Sequence, residues 1–222
     1  IDNADCSHKA RFTLIDADGN EKASTIADLR PIISAKLPVE DPVLWNGRKN
    51  PYLYTVKCEI FDSTTQEVTD NTGLREYHID SHKGFFLNGE HIKLQGVSRH
   101  QDRENMGNAI TEKQHAEDVK IILDVGANSV RFAHYQQNSY FYDLCDESGL
   151  LVWAEGPVIS RFSPKRNENA EQQLVELIKQ NYNHPSIFCW GIENEITIAG
   201  SANKKLITFL KHMHKVARHL DP

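Results

Sequence analysis

Two periodicities divide the chain. Up to about residue 80, apolar and polar positions alternate. In ARFTLID, Phe12 and Leu14 oppose Arg11 and Thr13, and Asp18-Gly19 supplies a turn. In LYTVKCEIF, Leu53, Thr55, Lys57 and Glu59 face one way and Tyr54, Val56, Cys58 and Ile60 the other. A period of two predicts half-buried strands, and short strands punctuated by Asp-Gly, Pro and Asn predict a small β-sandwich over residues 1–80. No cluster of catalytic residue types falls in it, so its predicted role is structural.

Over residues 81–222 the pattern becomes strand, helix, strand, helix. GFFLNGEHIKLQGV carries Asn88-Gly89 between apolar runs, a hairpin signal, with a second arm running on into IKLQGVSRH. Thr111 and Gln114 form a capping-box pattern before a stripe of Ala116, Val119, Ile122 and Leu123 that stops at Gly126. NSVRFAH reads as a strand, and SYFYDLCDESG as a short helix with Phe141, Leu144 and Cys145 on one face and Gly149 at its end. LLVWAEG is the next strand, followed by a helix marked by Leu174, Leu177 and Ile178. SIFCWGI is the fourth, followed by a helix begun by Ser201 and marked by Leu206, Phe209, Leu210 and Met213. Four βα units with nearly all-apolar strands predict a parallel sheet, either doubly wound or part of a (β/α)8 barrel. No G-x-G-x-x-G or P-loop follows a strand. Polar residues gather where strands end: Arg99 and His100, Arg131 and His134, Glu155, then Asn194 and Glu195. That placement favours the barrel, whose active sites lie at the C-terminal strand ends.

Composition narrows the function. The 222 residues are 39% hydrophobic and 25% charged, with a net charge of -6, as in an ordinary globular protein and unlike a nucleic-acid or anionic-membrane binder. No apolar run approaches the roughly 18–20 residues of a membrane span. Cys6, Cys58, Cys145 and Cys189 form no CxxC pair, which predicts reduced thiols and a cytoplasmic protein. A start at Ile1 and a stop at Asp221-Pro222 are those expected of an excised piece.

Converging Arg, His, Asn and Glu side chains suit glycoside hydrolysis, which needs carboxylates flanking the sugar and hydrogen-bonding groups for its hydroxyls. NHPSIFCWGIENE resembles the strand 4 signature of glycoside hydrolase family 2. GFFLNGEHIKLQGVSRHQD and GANSVRFAHYQQNSYFYDLCDESGLLVWAE are similar to its barrel segments. PVLWNGRKNPYLYTVKCEIFD and TGLREYHI resemble the end of the preceding immunoglobulin-like domain. The resemblance implies a multidomain β plus α/β chain: a partial immunoglobulin-like β-sandwich, then the first four βα units of a (β/α)8 TIM barrel. Within the family the chain looks most like bacterial β-galactosidases, and β-glucuronidases and β-mannosidases share most of these motifs.

The same resemblance implies roles. Glu195 would be the general acid/base of a retaining double displacement, and Asn194 would hold the sugar 2-hydroxyl. Arg131 would orient a nucleophile Glu lying beyond Pro222, and His134 and His100 would line the sugar site. Without that nucleophile the chain alone is expected to be inactive. Glu193 is expected to be a bystander, Glu155 a site-lining or structural carboxylate, and Trp45, Trp153 and Trp190 core residues. Where the family's large β-galactosidases bind magnesium through Glu-x-His, this chain has Ile159, Ser160 and Arg161, so no metal and no cofactor is expected. The expected partner is a small carbohydrate, with neither nucleic acid nor membrane, and a homo-oligomer is expected of the full-length protein. Two rivals differ in class: a metal-dependent hydrolase barrel using His100, Asp102 and His134, and a non-enzymatic carbohydrate-binding or assembly module.

Overall fold

The computed structural model describes residues 8–61, 66–198 and 203–222. Strands β1 (Lys9–Ile15), β2 (Glu21–Asp28), β3 (Tyr54–Phe61) and β4 (Gln66–Thr72) form an antiparallel sheet in the order β2-β1-β3-β4. The predicted turn at Asp18-Gly19 joins β1 to β2. Asp16 Oδ1 accepts from the Asp18 and Asn20 N–H groups at 3.0 and 2.8 Å, and Gly19 takes φ +84°. Among the described residues this is one sheet of the expected sandwich.

A small antiparallel sheet follows: β5 (Tyr77–Asp80), β6 (Gly84–Leu87) and β7 (Glu90–Ile92). Asn88 and Gly89 sit at φ +49° and +79°, the two left-handed residues of the tight turn their sequence predicts. The second hairpin arm does not run on. It ends at Ile92, and β8 (Gly96–Arg99) pairs in a different sheet. The side chain of Asn128 takes the place of a strand partner across the gap, donating to the Lys93 carbonyl at 2.9 Å and accepting from the Gln95 N–H at 2.8 Å.

Strands β8, β9 (Ser129–Phe132), β10 (Leu151–Glu155) and β11 (Ile187–Gly191) are parallel and adjacent in chain order, with helices α1 (Glu112–Asp124), α2 (Ser139–Ser148), α3 (Asn167–Asn181) and α4 (Lys204–Leu220) following each in turn. A doubly wound sheet reverses its strand order at a switch point. This one does not, which is the winding of a barrel. Local chemistry sets the helix ends. Gln114 Oε1 accepts from the Thr111 N–H at 3.0 Å, Asn138 Oδ1 accepts from the Tyr140 N–H at 2.9 Å, and Gly126 and Gly149 end α1 and α2 at φ +81° and +72°. The predicted start at Ser201 lies outside the described residues; the N-cap of α4 is Asn203, whose side chain accepts from the Leu206 N–H at 3.1 Å.

One face of the sheet packs on the helices: Val130, Phe132, Val152, Ala154 and Ile187 meet Val119, Ile122, Phe141, Tyr142, Cys145 and Leu177. Burial of each large side chain stabilises the fold by ~1.5–3 kcal/mol. On α1, Val119 and Ile122 are buried and Leu123 is partly buried against the same core, as predicted, but Ala116 is exposed and His115 is buried instead. Arg99, itself buried, is the partner of His115. It reaches into the helical layer, bonding His115 Nδ1 at 3.0 Å and Asp118 Oδ2 at 2.7 Å while lying 3.8 Å over the Phe141 ring.

The antiparallel sheet docks where the parallel strands begin. Asn183 donates to Asp70 Oδ2 at 2.6 Å, the Thr72 hydroxyl donates to the Asn183 carbonyl at 3.1 Å, and the Arg75 guanidinium donates to the carbonyls of Pro185 and Ile187. Trp45, fully buried as expected, donates its indole N–H to the Asp146 carbonyl at 2.9 Å. Much of the NHPSI motif therefore clasps one domain to the other. No helix among the described residues is long and apolar enough to cross a membrane.

Candidate active site

Strand register decides which polar residues meet. Ser98 pairs with Arg131, and Arg131 with Trp153, so these share the inner face of the sheet; Arg99 pairs with Phe132 and faces the helices. Of the polar residues at strand ends, Arg99 therefore drops out. Arg131, His134, Glu155 and Asn194 come together.

Glu155 is their centre. It is 0% exposed, and a buried carboxylate must be paired. One oxygen accepts from Arg131 Nε, and the other lies 2.8 Å from His134 Nδ1. Arg131 also donates through Nη2 to Asn194 Oδ1 at 2.7 Å, which carries the network from β9 across β10 to the residue just past β11. Gly191 makes room for it: a Cβ there would lie 2.5 Å from Glu155 Cγ and from Trp153 Nε1. Neighbouring Cys189 is no thiolate, because burial, with the charge of Glu155, pushes its thiol up to about 11.

Asn194 is held along its backbone as well. Its N–H donates to the Val158 carbonyl at 2.9 Å and its carbonyl accepts from the Ser160 N–H at 2.9 Å, with Ile159 bridged to it in parallel register. Residues 158–160 act as a rail for Asn194, and the side chains of Ile159 and Arg161 offer no hard anionic ligand. Glu195 follows at φ +51°, exposed, with no hydrogen-bond donor to its carboxylate among the described residues. Glu193 closes the turn on itself, accepting from the Ile196 N–H at 3.2 Å.

His100 is exposed, its ring 5.2 Å from that of His134. The third member of the rival metal set, Asp102, does not join them. Among the described residues the one group spaced to hold a metal is Asp143, Asp146 and His184, at the opposite end of the sheet. Its strongest members already satisfy each other, His184 Nδ1 lying 2.6 Å from Asp146 Oδ2. Trp190 is half-buried between two cores and donates to Asp221 at 2.7 Å, but Trp153, expected in a core, is 40% exposed on the inner face near Arg131.

Glu155 is expected from the sequence as a site-lining or structural carboxylate; its pairing with Arg131 and His134 is what the sequence reading leaves out. The available signal was parity: Arg131, Trp153 and Glu155 fall on one face once β9 and β10 are aligned, and an unpaired inner-face carboxylate next to an inner-face arginine is costly.

Residues 2–75 match the family model of glycosyl hydrolases family 2, and residues 78–221 match that family's TIM barrel domain. A β-glucuronidase of Bacteroides fragilis is 42% identical over 197 residues, which cover 84% of this chain and 28% of that protein. The crystal structure of an FMN-binding β-glucuronidase from Facaelibacterium prausnitzii L2-6 superposes with a TM-score of 0.94 at 41% identity, covering 99% of this chain and 34% of that one. A Bacteroides fragilis structure assigned provisionally as a β-galactosidase superposes with a TM-score of 0.88 at 40% identity, covering 97% of this chain and 33% of that one. The chain thus spans about a third of the length of these relatives. With both family models matched in order over nearly its whole length and a sequentially wound parallel sheet beneath them, the chain belongs to glycosyl hydrolases family 2.

Proposed function

We propose that the full-length protein is a retaining exo-β-glycosidase that removes terminal β-D-glucuronic acid, with Glu195 as general acid/base. The observation that carries this reading is the Arg131–Asn194 hydrogen bond beside the exposed Glu195 carboxylate, which accepts no hydrogen bond among the described residues. Since Asn194 Oδ1 is occupied by the guanidinium, its amide N–H groups are left to donate to a sugar hydroxyl. Such contacts strengthen as the oxocarbenium-like transition state forms. Glu195, next along the chain and exposed, is free to protonate a leaving oxygen and then to deprotonate the attacking water. His134, with Nδ1 committed to Glu155, offers Nε2, and His100 lines the same rim. The nucleophile is a second carboxylate from outside this chain, placed by retaining geometry about 5 Å from the acid/base.

Similarity to the β-glucuronidases at 42% and 41% identity supports the glucuronide. The 40% identical structure assigned provisionally as a β-galactosidase supports β-galactosides as the second reading. The test is full-length protein assayed against aryl β-D-glucuronide, β-D-galactoside and β-D-mannoside, with the anomer of the first-formed product read by NMR. Turnover of the glucuronide with retention is expected. A preference for galactoside replaces the sugar, and inversion overturns the mechanism.

A further inference from the structure

Glu155 does more than balance charge. We infer that Glu155 is the positioning residue of this site, fixing the tautomer of His134 and, through Arg131, the amide orientation of Asn194. The inference rests on the glycosidase reading above for its catalytic consequence, though not for its structural one.

The chemistry follows from donors and acceptors. An ionised carboxylate only accepts, so the 2.8 Å contact with Glu155 Oε2 requires the proton of neutral His134 to sit on Nδ1. Nε2 then faces the site as a lone pair, able to accept from a sugar hydroxyl. The other Glu155 oxygen accepts from Arg131 Nε, which fixes the plane of the guanidinium. Guanidinium nitrogens only donate, so Nη2 at 2.7 Å from Asn194 selects the amide rotamer with Oδ1 toward Arg131 and Nδ2 away from it. One buried group thereby sets the hydrogen-bonding polarity of two groups beyond the ends of different strands, β9 and β11, an acceptor at His134 and a donor at Asn194. Gly191 permits the arrangement, since any side chain there would collide with the Glu155 stem.

Glu155→Gln preserves shape but adds a donor. With its carbonyl kept by Arg131, the new NH2 meets His134 Nδ1, and two donors cannot share that contact. His134 must then move its proton to Nε2, turning an acceptor toward the substrate into a donor.

The test uses full-length protein with 15N-labelled histidine, the His134 signals being assigned by their loss in His134→Gln. In the wild type the Nδ1-protonated tautomer is expected. In Glu155→Gln the Nε2-protonated tautomer is expected, with kcat/KM lowered about 100-fold, as for a misplacement near 1 Å, and the loss mainly in kcat. A wild-type His134 protonated on Nε2 overturns the inference without any variant, and so covers failure of Glu155→Gln to fold. An unchanged tautomer in a folded Glu155→Gln overturns it too. If no aryl glycoside is turned over by wild-type enzyme, the function reading fails while the tautomer measurement still decides this one.

Discussion

His184 and Asp146 form a hydrogen-bonded pair, Nδ1 to Oδ2 at 2.6 Å, beside the Tyr142 ring, whose centroid is 5.2 Å from that of the imidazole. Burial by itself lowers the His184 pKa. The hydrogen bond and charge of Asp146, with Asp143 and Asp70 nearby, outweigh it, and the net shift is upward from 6.5. A histidine whose folded pKa exceeds its unfolded one contributes stability that is complete below about pH 6.5 and fades as pH rises through the folded value. The urea midpoint should therefore fall as pH rises above about 6.5, and His184→Gln should flatten that slope. His184→Ala, which leaves the Asp146 carboxylate only the Ser186 N–H as a donor, should cost ~3 kcal/mol at pH 6. An equally steep pH slope in His184→Gln would assign the dependence to another group.

Gly149 allows the two domains to touch through backbone. It ends α2 at φ +72°, and a Cβ on it would lie 2.3 Å from the carbonyl carbon and oxygen of Gly47. Gly149→Ala therefore adds a collision between two main chains to the ~1–2 kcal/mol of a left-handed alanine. A loss of more than ~2 kcal/mol is expected by chemical denaturation. Gly126 supplies the control: it has φ +81° and open space around its Cβ, so Gly126→Ala should lose only the conformational part. Equal losses at the two sites would show that the junction relaxes freely.

Gly191→Ala probes the site instead. Its Cβ would sit 2.5 Å from Glu155 Cγ and Trp153 Nε1, and Trp153, being 40% exposed, has room to swing while buried Glu155 has none. Any residual push falls on the carboxylate that holds Arg131 and His134. In full-length enzyme kcat/KM should drop ~10-fold or more with a modest change in denaturation midpoint. Unchanged kinetics would mean that Trp153 absorbs the whole displacement.

These elements differ in how far the sequence discloses them. The alternation of βα units, the turn at Asn88-Gly89 and the stops at Gly126 and Gly149 were legible because each is local: a backbone conformation or a period dictates the residue. The break after Ile92 was not, because it depends on Asn128, 35 positions away from Lys93. Parallel strands buried on both faces show no polar alternation, so nothing local says that Arg131 points inward and Arg99 outward. The same ambiguity hid the convergence on Glu155. The motif around Asn183-His184-Pro185 was legible as a signature, but its physical work at the domain junction required the partners Asp70, Asp146 and Arg75 to be seen.

Glu193 and Glu195 flank Asn194 and should behave oppositely. Glu193 accepts from the Ile196 N–H at 3.2 Å, and a glutamine carbonyl can do the same, so Glu193→Gln should change kcat/KM by no more than about twofold. Glu195 is exposed and its carboxylate unbonded among the described residues, so Glu195→Gln should leave folding intact while removing the proton that the leaving group needs. The expected loss in full-length enzyme is about 10²–10⁴-fold, larger for alkyl than for activated aryl glycosides because a good leaving group needs less protonation. Added azide should restore turnover of the activated substrate by replacing the water that Glu195 can no longer deprotonate. A loss independent of leaving group, without azide rescue, would remove Glu195 from the acid/base role and return attention to Glu193.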